Sequence, residues 1–140
     1  MQLFADQELV PTEEPSTCGE DMARIVEALR TVRIAVAGLE EWQIHDALSA
    51  ALVAAQIPHY REFSFASGCR ADLWIDGIVI EVKKQRPARA ALLSQITRYA
   101  GKHGVRGVIV VLERSIHVPA VIEGKPVRVL SLNAAWGIAL

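Results

Sequence analysis

The chain has 140 residues, 51% hydrophobic and 22% charged, which is typical of one globular domain and excludes disordered, collagen-like and disulfide-framework proteins. No apolar run approaches the roughly 18 to 20 residues of a membrane-spanning helix, and the N-terminus lacks the basic start and apolar stretch of a signal peptide. The two cysteines lie far apart and form no zinc-binding pattern. We therefore expect a soluble, cytoplasmic protein that does not associate with membranes.

The formal net charge of −1 hides an uneven distribution of charge along the chain. Residues 1–22 contain six acidic residues and no basic one, for a net charge of −6, whereas residues 23–140 have a net charge of +5. Seven basic residues and no acidic one lie between Val82 and Leu112. Such a basic block attracts polyanions such as nucleic acids, and the alternative is a solvated helix face.

The first predicted feature along the chain is an acidic arm. Residues 1–19 are rich in turn-forming and acidic residues, so we expect a flexible arm there and a single domain over residues 20–140. A helix is expected from near Glu20 to about Arg30. Residues 31–38 are ambiguous, because their β-branched alternation fits a short strand and a continued helix fits as well.

The middle of the chain predicts a helix followed by three strands. Apolar residues recur on one helical face from Leu39 to Ile57, where Pro58 ends the helix. Alternating residues predict strands at Tyr60–Phe65 and at about Arg70–Ile75. The dipeptide Asp76-Gly77 then predicts a tight hairpin into a third strand, because a type I′ turn needs a positive φ at both positions.

The last third predicts one more helix and two strands. The helix spans about Pro87 to Lys102, and a buried strand follows from Val105 or Gly107 to Glu113. A turn at Glu123–Pro126 leads to the final strand. Helix, three strands, helix, strand and strand predict an α/β fold in which helices flank a mixed β-sheet.

The Asp76-Gly77 hairpin also predicts which residues face each other. In that register Asp72 lies opposite Glu81, with Cβ atoms about 4.5 to 5.5 Å apart, where like charges are destabilising. A divalent cation held by oxygen ligands would offset the repulsion. Strand alternation places Lys83 on the face of Glu81. The alternative is a solvated face with ion pairs.

These residues resemble the PD-(D/E)xK nuclease superfamily, which has the restriction-endonuclease-like fold. The family signature is an acidic residue near a turn, followed on the paired strand by an acid, any residue and a lysine. Here Asp72 is followed by Glu81-Val82-Lys83, with Ala71 in place of the proline of the family name.

The resemblance extends to the two neighbouring helices and covers roughly residues 39–112. Members have a glutamate on the helix before the hairpin, which Glu41 or Glu40 matches. They often have a glutamine on the helix after it, which Gln95 matches. We favour Glu41 over Glu40, because the spacing places it with Ile44 on the inward face of the helix.

The resemblance implies a metal site and a set of catalytic residues. Mg²⁺, or Mn²⁺ as a substitute, would be held by Asp72, Glu81, the main-chain carbonyl of Val82 and Glu41, and Lys83 would position the attacking water. The implied catalytic residues are Glu41, Asp72, Glu81, Lys83 and Gln95. For His45, one helical turn after Glu41, we favour a structural hydrogen-bonding role, and the alternative is an approach to the metal or to the scissile phosphate.

The expected function is therefore that of a Mg²⁺-dependent nuclease acting on DNA. The residues expected to contact nucleic acid are Lys84, Arg86, Arg89, Arg98 and Lys102. The alternative for Gln95 and Arg98 is a solvent-facing position on an amphipathic helix. The alternative functions are a structure-selective resolvase or restriction-type subunit, and a non-catalytic nucleic-acid-binding module. With one site per chain, cutting both strands calls for a homodimer or two binding events.

Overall fold

Six strands form one mixed sheet that is flanked by three helices in this computed structural model, which describes residues 17–32 and 39–132. The expected α/β class with a mixed, helix-flanked sheet is confirmed. Residues 1–16 of the expected arm, and residues 33–38 of the ambiguous segment, lie outside the described residues. None of the helices described is long and apolar enough to cross a bilayer.

The elements follow the predicted order closely. The helices are α1 (Cys18–Leu29), α2 (Glu41–Ala54) and α3 (Arg89–Ala100). The strands are β1 (Tyr60–Ala66), β2 (Cys69–Ile75), β3 (Ile78–Lys83), β4 (Gly107–Leu112), β5 (Val121–Ile122) and β6 (Lys125–Ser131). Helix α1 begins two residues before the expected Glu20, since Thr17 caps it by accepting a hydrogen bond from the Glu20 N–H.

The sheet has the strand order β1-β2-β3-β4-β6-β5. Strands β1, β2 and β3 are antiparallel neighbours, whereas β3–β4 and β4–β6 pair in parallel. Every residue of β4 is buried, as expected for a central parallel strand that is covered on both faces. Strands β3 and β4 therefore form the buried centre of the sheet, and the antiparallel hairpin extends from it.

The core consists of two apolar layers, one on each face of the sheet. Helices α1 and α2 cover the first face, and its fully buried residues include Met22, Leu29, Leu48, Ile80 and Ile109. Helix α3 covers the second face, and its buried residues include Leu92, Ile96, Tyr99, Val79 and Val110. Side chains at the carboxyl end of β3 therefore lie between helices from both layers.

The β2–β3 hairpin has the predicted turn. Asp76 and Gly77 have φ angles of 44° and 86°, the positive values that a type I′ turn needs. The Gly77 carbonyl accepts a hydrogen bond of 2.7 Å from the Arg106 N–H. A Cβ atom on Gly77 would lie 2.7 Å from the Gly104 carbonyl oxygen. The turn is thus packed tightly against the α3–β4 connection.

Candidate active site

Asp72 lies where strands β2 and β3 separate. The predicted register is present from the turn to the Leu73–Ile80 pair, and the ladder ends there. Asp72 and Glu81 therefore do not form the expected cross-strand pair. Instead, the Asp72 carboxylate accepts a hydrogen bond of 2.8 Å from the Val82 N–H. This hydrogen bond gives a main-chain N–H of β3 a partner and holds the Asp72 side chain between the two strands.

Strand β1 is irregular at the same level. It pairs Arg61 with Leu73 and Phe63 with Ala71, and the ladder leaves out Glu62 and Asp72 between these pairs. Glu62 has a φ of 50°, a left-handed conformation that costs a non-glycine residue roughly 1 to 2 kcal/mol. Strained backbone conformations of this kind cluster beside functional sites.

Glu41, His45 and Asp72 form a group of potential metal ligands. One ligand atom from each lies within 4.8 Å of the others. The His45 Nε2 is 3.7 Å from Glu41 Oε1 and 3.7 Å from Asp72 Oδ2. This nitrogen is buried and has no hydrogen-bond partner in the described part of the chain. Because an unpaired buried polar atom is costly, the arrangement is suited to an ion between the three side chains.

Glu40 and Glu41 occupy different positions at the start of helix α2. The Glu40 N–H donates a hydrogen bond of 2.8 Å to the Gln43 side-chain oxygen, so Glu40 is the capping residue. Glu41 and His45 are four residues apart and lie on the same face of the helix. Between the two alternatives, the structure places Glu41 in the ligand group.

Glu81 is buried beside this group, with an exposed fraction of only 5%. Its Oε2 lies 3.5 Å from the Lys83 Nζ and accepts a hydrogen bond of 3.3 Å from the Gln95 side chain. Burial, and then the negative charge of Asp72, raise the pKa of Glu81 to about 7, against the opposing effect of Lys83. The structure therefore brings Glu81, Lys83 and Gln95 together next to Asp72. Glu81 is not part of the three-residue ligand group.

A cleft of about 400 Å³ opens beside these residues. It is lined by Glu40, Glu41, Lys83, Lys84 and Gln85. Acidic side chains from the start of α2 and basic side chains from the end of β3 thus line the same surface depression. A phosphodiester in this cleft would lie between possible metal ligands and ammonium groups.

The other predicted nucleic-acid contacts lie on and around α3. Arg86, Arg89 and Arg98 are exposed, and Lys84 and Lys102 are half-buried. The Arg89 side chain donates a hydrogen bond to the His117 carbonyl. Arg106 belongs to the same basic stretch of sequence, but its guanidinium binds Asp21 and Asp76 and so serves the fold.

His45 lies in the group of potential ligands, whereas the sequence interpretation favoured a structural role for it. Its spacing from Glu41 was the available signal, since residues four apart on a helix share a face. Its second neighbour, Asp72, comes from the hairpin and approaches only through the packing of α2 on the sheet.

No protein-family model, curated protein or solved structure matches this chain.

Proposed function

We propose that this protein is a metal-dependent nuclease with a restriction-endonuclease-like core, which hydrolyses phosphodiester bonds in DNA. The main support is the buried His45 Nε2, which has no hydrogen-bond partner among the described residues and lies 3.7 Å from carboxylate oxygens of both Glu41 and Asp72. The order of three antiparallel strands, a helix and a strand parallel to β3 is compatible with that core.

The donor set fits a divalent cation. Carboxylate oxygens suit Mg²⁺ and Mn²⁺, and an imidazole nitrogen suits a transition metal better than Mg²⁺. We expect Glu41, His45 and Asp72 to hold the ion, with Glu81 and the Val82 carbonyl as the further ligands implied by the family resemblance. A bound cation would polarise the phosphodiester and make a water molecule a stronger nucleophile near neutral pH.

The remaining side chains supply positive charge and positioning. The Lys83 ammonium, next to Glu81, would stabilise the negative charge that develops on the phosphate oxygens. Gln95 holds Glu81 in place through its amide. The basic residues around α3 would attract the DNA backbone without reading its sequence.

The first prediction concerns the metal. Mg²⁺ or Mn²⁺ should raise the melting temperature, because a ligand that binds only the folded state stabilises it. Asp72→Asn and His45→Ala should each remove most of this increase, measured by thermal unfolding over a metal titration. Arg24→Ala, an exposed substitution on α1, is the control and should keep the full increase. An unchanged metal response in both site variants would contradict the proposed ligand group.

Cleavage assays on the same proteins test the activity itself. Plasmid, single-stranded, flapped and four-way DNA are incubated with Mg²⁺, Mn²⁺ or EDTA. Lys83→Ala should lower the cleavage rate by orders of magnitude while DNA binding in Ca²⁺ falls only slightly, because Lys83 is one of many basic contacts. Equal losses of rate and affinity would make Lys83 part of the basic surface only. Binding without cleavage of any substrate would indicate a non-catalytic module.

A further inference from the structure

Five aromatic side chains form a continuous row across β1, β2 and α3. Tyr60 contacts Phe63 with a centroid distance of 5.5 Å, and Phe63 stacks on Trp74 at 4.9 Å. Trp74 also stacks on Phe65 at 5.3 Å, and Phe65 meets the edge of Tyr99 at 5.1 Å. Helix α3 packs mainly against β4 and β5. The rings therefore form the outer layer over β1 and β2 in the described part of the chain.

The irregularity at Glu62 brings these rings together. In a regular strand Tyr60 and Phe63 would point to opposite faces of the sheet. The left-handed Glu62 between them changes this alternation, and the two rings are in contact. The contact between the Tyr60 and Phe63 rings and the gap in the strand ladder at Asp72 therefore both lie beside Glu62 in the sheet.

One end of the row reaches the candidate active site. The Tyr99 hydroxyl donates a hydrogen bond to the Arg70 carbonyl and accepts one from Gln95, each of 3.2 Å. Gln95 in turn donates to Glu81. The Arg98 guanidinium lies 5.4 Å from the centre of the Tyr99 ring. A positive charge is therefore present at the inner end of the row.

The other end of the row is open. Tyr60 is 65% exposed, and a cavity of about 480 Å³ lies beside it. The cavity is lined by Pro58, His59, Tyr60, Trp74 and Asp76. Its volume lies within the range of about 300 to 1,000 Å³ that is typical of small-molecule sites. The rings of Tyr60 and Trp74 can stack on a flat heterocycle, and the Asp76 carboxylate, which also pairs with Arg106, can accept a further hydrogen bond from an amino group.

We propose that this cavity and the Tyr60 end of the row bind an unpaired nucleobase of the DNA strand that enters the candidate active site. The identity of the ligand as DNA rests on the proposed function. Aromatic side chains stack on any base, whereas the bases of an intact duplex are already stacked on one another. Trp74 is two residues from Asp72, about 7 Å along the strand. The substrate class would therefore be single-stranded DNA, or duplex DNA with an unpaired end, flap or junction.

Binding measurements without cleavage test this proposal. A labelled single-stranded oligonucleotide and the blunt duplex of the same sequence are titrated in EDTA against wild type, Tyr60→Ala and Tyr60→Phe. Tyr60→Ala should weaken single-strand binding by about tenfold, since loss of one stacked base typically costs that much or more. Duplex binding should stay unchanged, and Tyr60→Phe, which keeps the ring, should bind like wild type. Val121→Ala, at another exposed apolar residue, is the matched control.

Three results of the binding and sedimentation measurements would overturn the proposal. They are an unchanged single-strand affinity in Tyr60→Ala, an equal loss for single strand and duplex, and the conversion of a dimer to a monomer by Tyr60→Ala in sedimentation. The last result would assign the surface to a second copy of the chain. Thermal melting verifies that the variants fold. Photo-crosslinking of wild type to a halogenated uracil in the single strand should map to Tyr60 or Trp74, and crosslinks confined to other segments would also overturn it.

The same experiments separate this inference from the nuclease assignment. Tyr60-dependent binding of single strands, without metal-dependent cleavage, would support the base site and remove the nuclease function. Metal-dependent cleavage with no effect of Tyr60→Ala on single-strand binding would keep the nuclease and remove the base site.

Discussion

Folding raises the pKa of the Glu81 carboxyl group. Its folded pKa of about 7 lies above the ordinary value of 4.5. The folded state thus binds a proton that the unfolded chain has released, and stability should fall as pH rises from about 4.5 to 7. The full effect is on the order of 3 kcal/mol. Urea unfolding in EDTA at pH 5 and pH 8 measures it.

Glu81→Gln is the matched control for this pH dependence. It keeps the shape and the amide contacts but removes the ionisation, so most of the loss of stability between the two pH values should disappear. If the variant and the wild type lose the same amount, another group is responsible, and burial does not raise the pKa of Glu81 as the structure indicates.

The proximity of several candidate site residues could be predicted from the sequence because their spacing is local. The turn at Asp76-Gly77 places Asp72 near Glu81, and strand alternation places Lys83 beside Glu81. The contact between Glu81 and Gln95 depends on how α3 packs on the sheet. The approach of His45 to Asp72 depends on how α2 packs on it. Helical periodicity gives the face of a residue but not its neighbour on another element, so His45 could not be assigned from the pattern alone.

At the scale of elements, the tip of the hairpin tolerates no side chain at Gly77. Its φ of 86° is unfavourable for other residues, and a Cβ atom would lie 2.7 Å from the Gly104 carbonyl oxygen. Gly77→Ala should cost about 2 to 4 kcal/mol, from backbone strain and overpacking together. Denaturant unfolding measures this loss.

Gly68 in the β1–β2 turn provides the comparison. Its φ is 69°, but no atom lies within 4 Å of the position of a Cβ. Gly68→Ala should therefore cost only the backbone strain of roughly 1 to 2 kcal/mol. Similar losses in the two alanine variants would show that the close approach of Gly77 to Gly104 does not limit stability.

The hairpin also shows where prediction from sequence stops at this scale. Its turn and register follow from two residues, and the three pairs nearest the turn are as expected. The separation of the strands at Asp72 depends on a side-chain bond to Val82 and on the conformation of Glu62. Neither has a signature in the alternation of residues. Strand β5 was not predicted, since a two-residue strand is too short to show a period.

At the scale of the whole molecule, two of the six acidic residues within residues 1–22 make contacts in the fold. Glu20 accepts a hydrogen bond from the Thr17 N–H at the start of α1, and Asp21 pairs with Arg106. These two acids therefore stabilise the fold. We expect the acidic arm to compete with nucleic acid for the basic residues between Val82 and Leu112, and the acids left for this contact are Asp6, Glu8, Glu13 and Glu14.

Deletion of residues 1–16 should tighten DNA binding. It removes four acidic residues and no basic one, which changes the formal net charge from −1 to +3, and it keeps the Thr17 cap. The gain should be largest at low ionic strength and should shrink as salt rises, because the Debye length is only about 8 Å at physiological salt. Salt titrations of both proteins test this. Identical affinities at low salt would leave the acidic arm without an inhibitory role.

The α/β class was predictable at this scale because continuous apolar strands and amphipathic helices alternate along the chain. The strand order was not, since pairing β4 with β3 rather than with an edge strand depends on long-range contacts.

The irregular backbone of β1 also has a consequence for solubility. A long, flat edge strand exposes unpaired main-chain groups and invites further strands to add, which leads to aggregation. Here the outer strand is kinked at Glu62, and it exposes the charged residues Arg61 and Glu62. The β1 edge is thus a poor template for growth, and it should seed fibres less readily than a long, regular edge strand would.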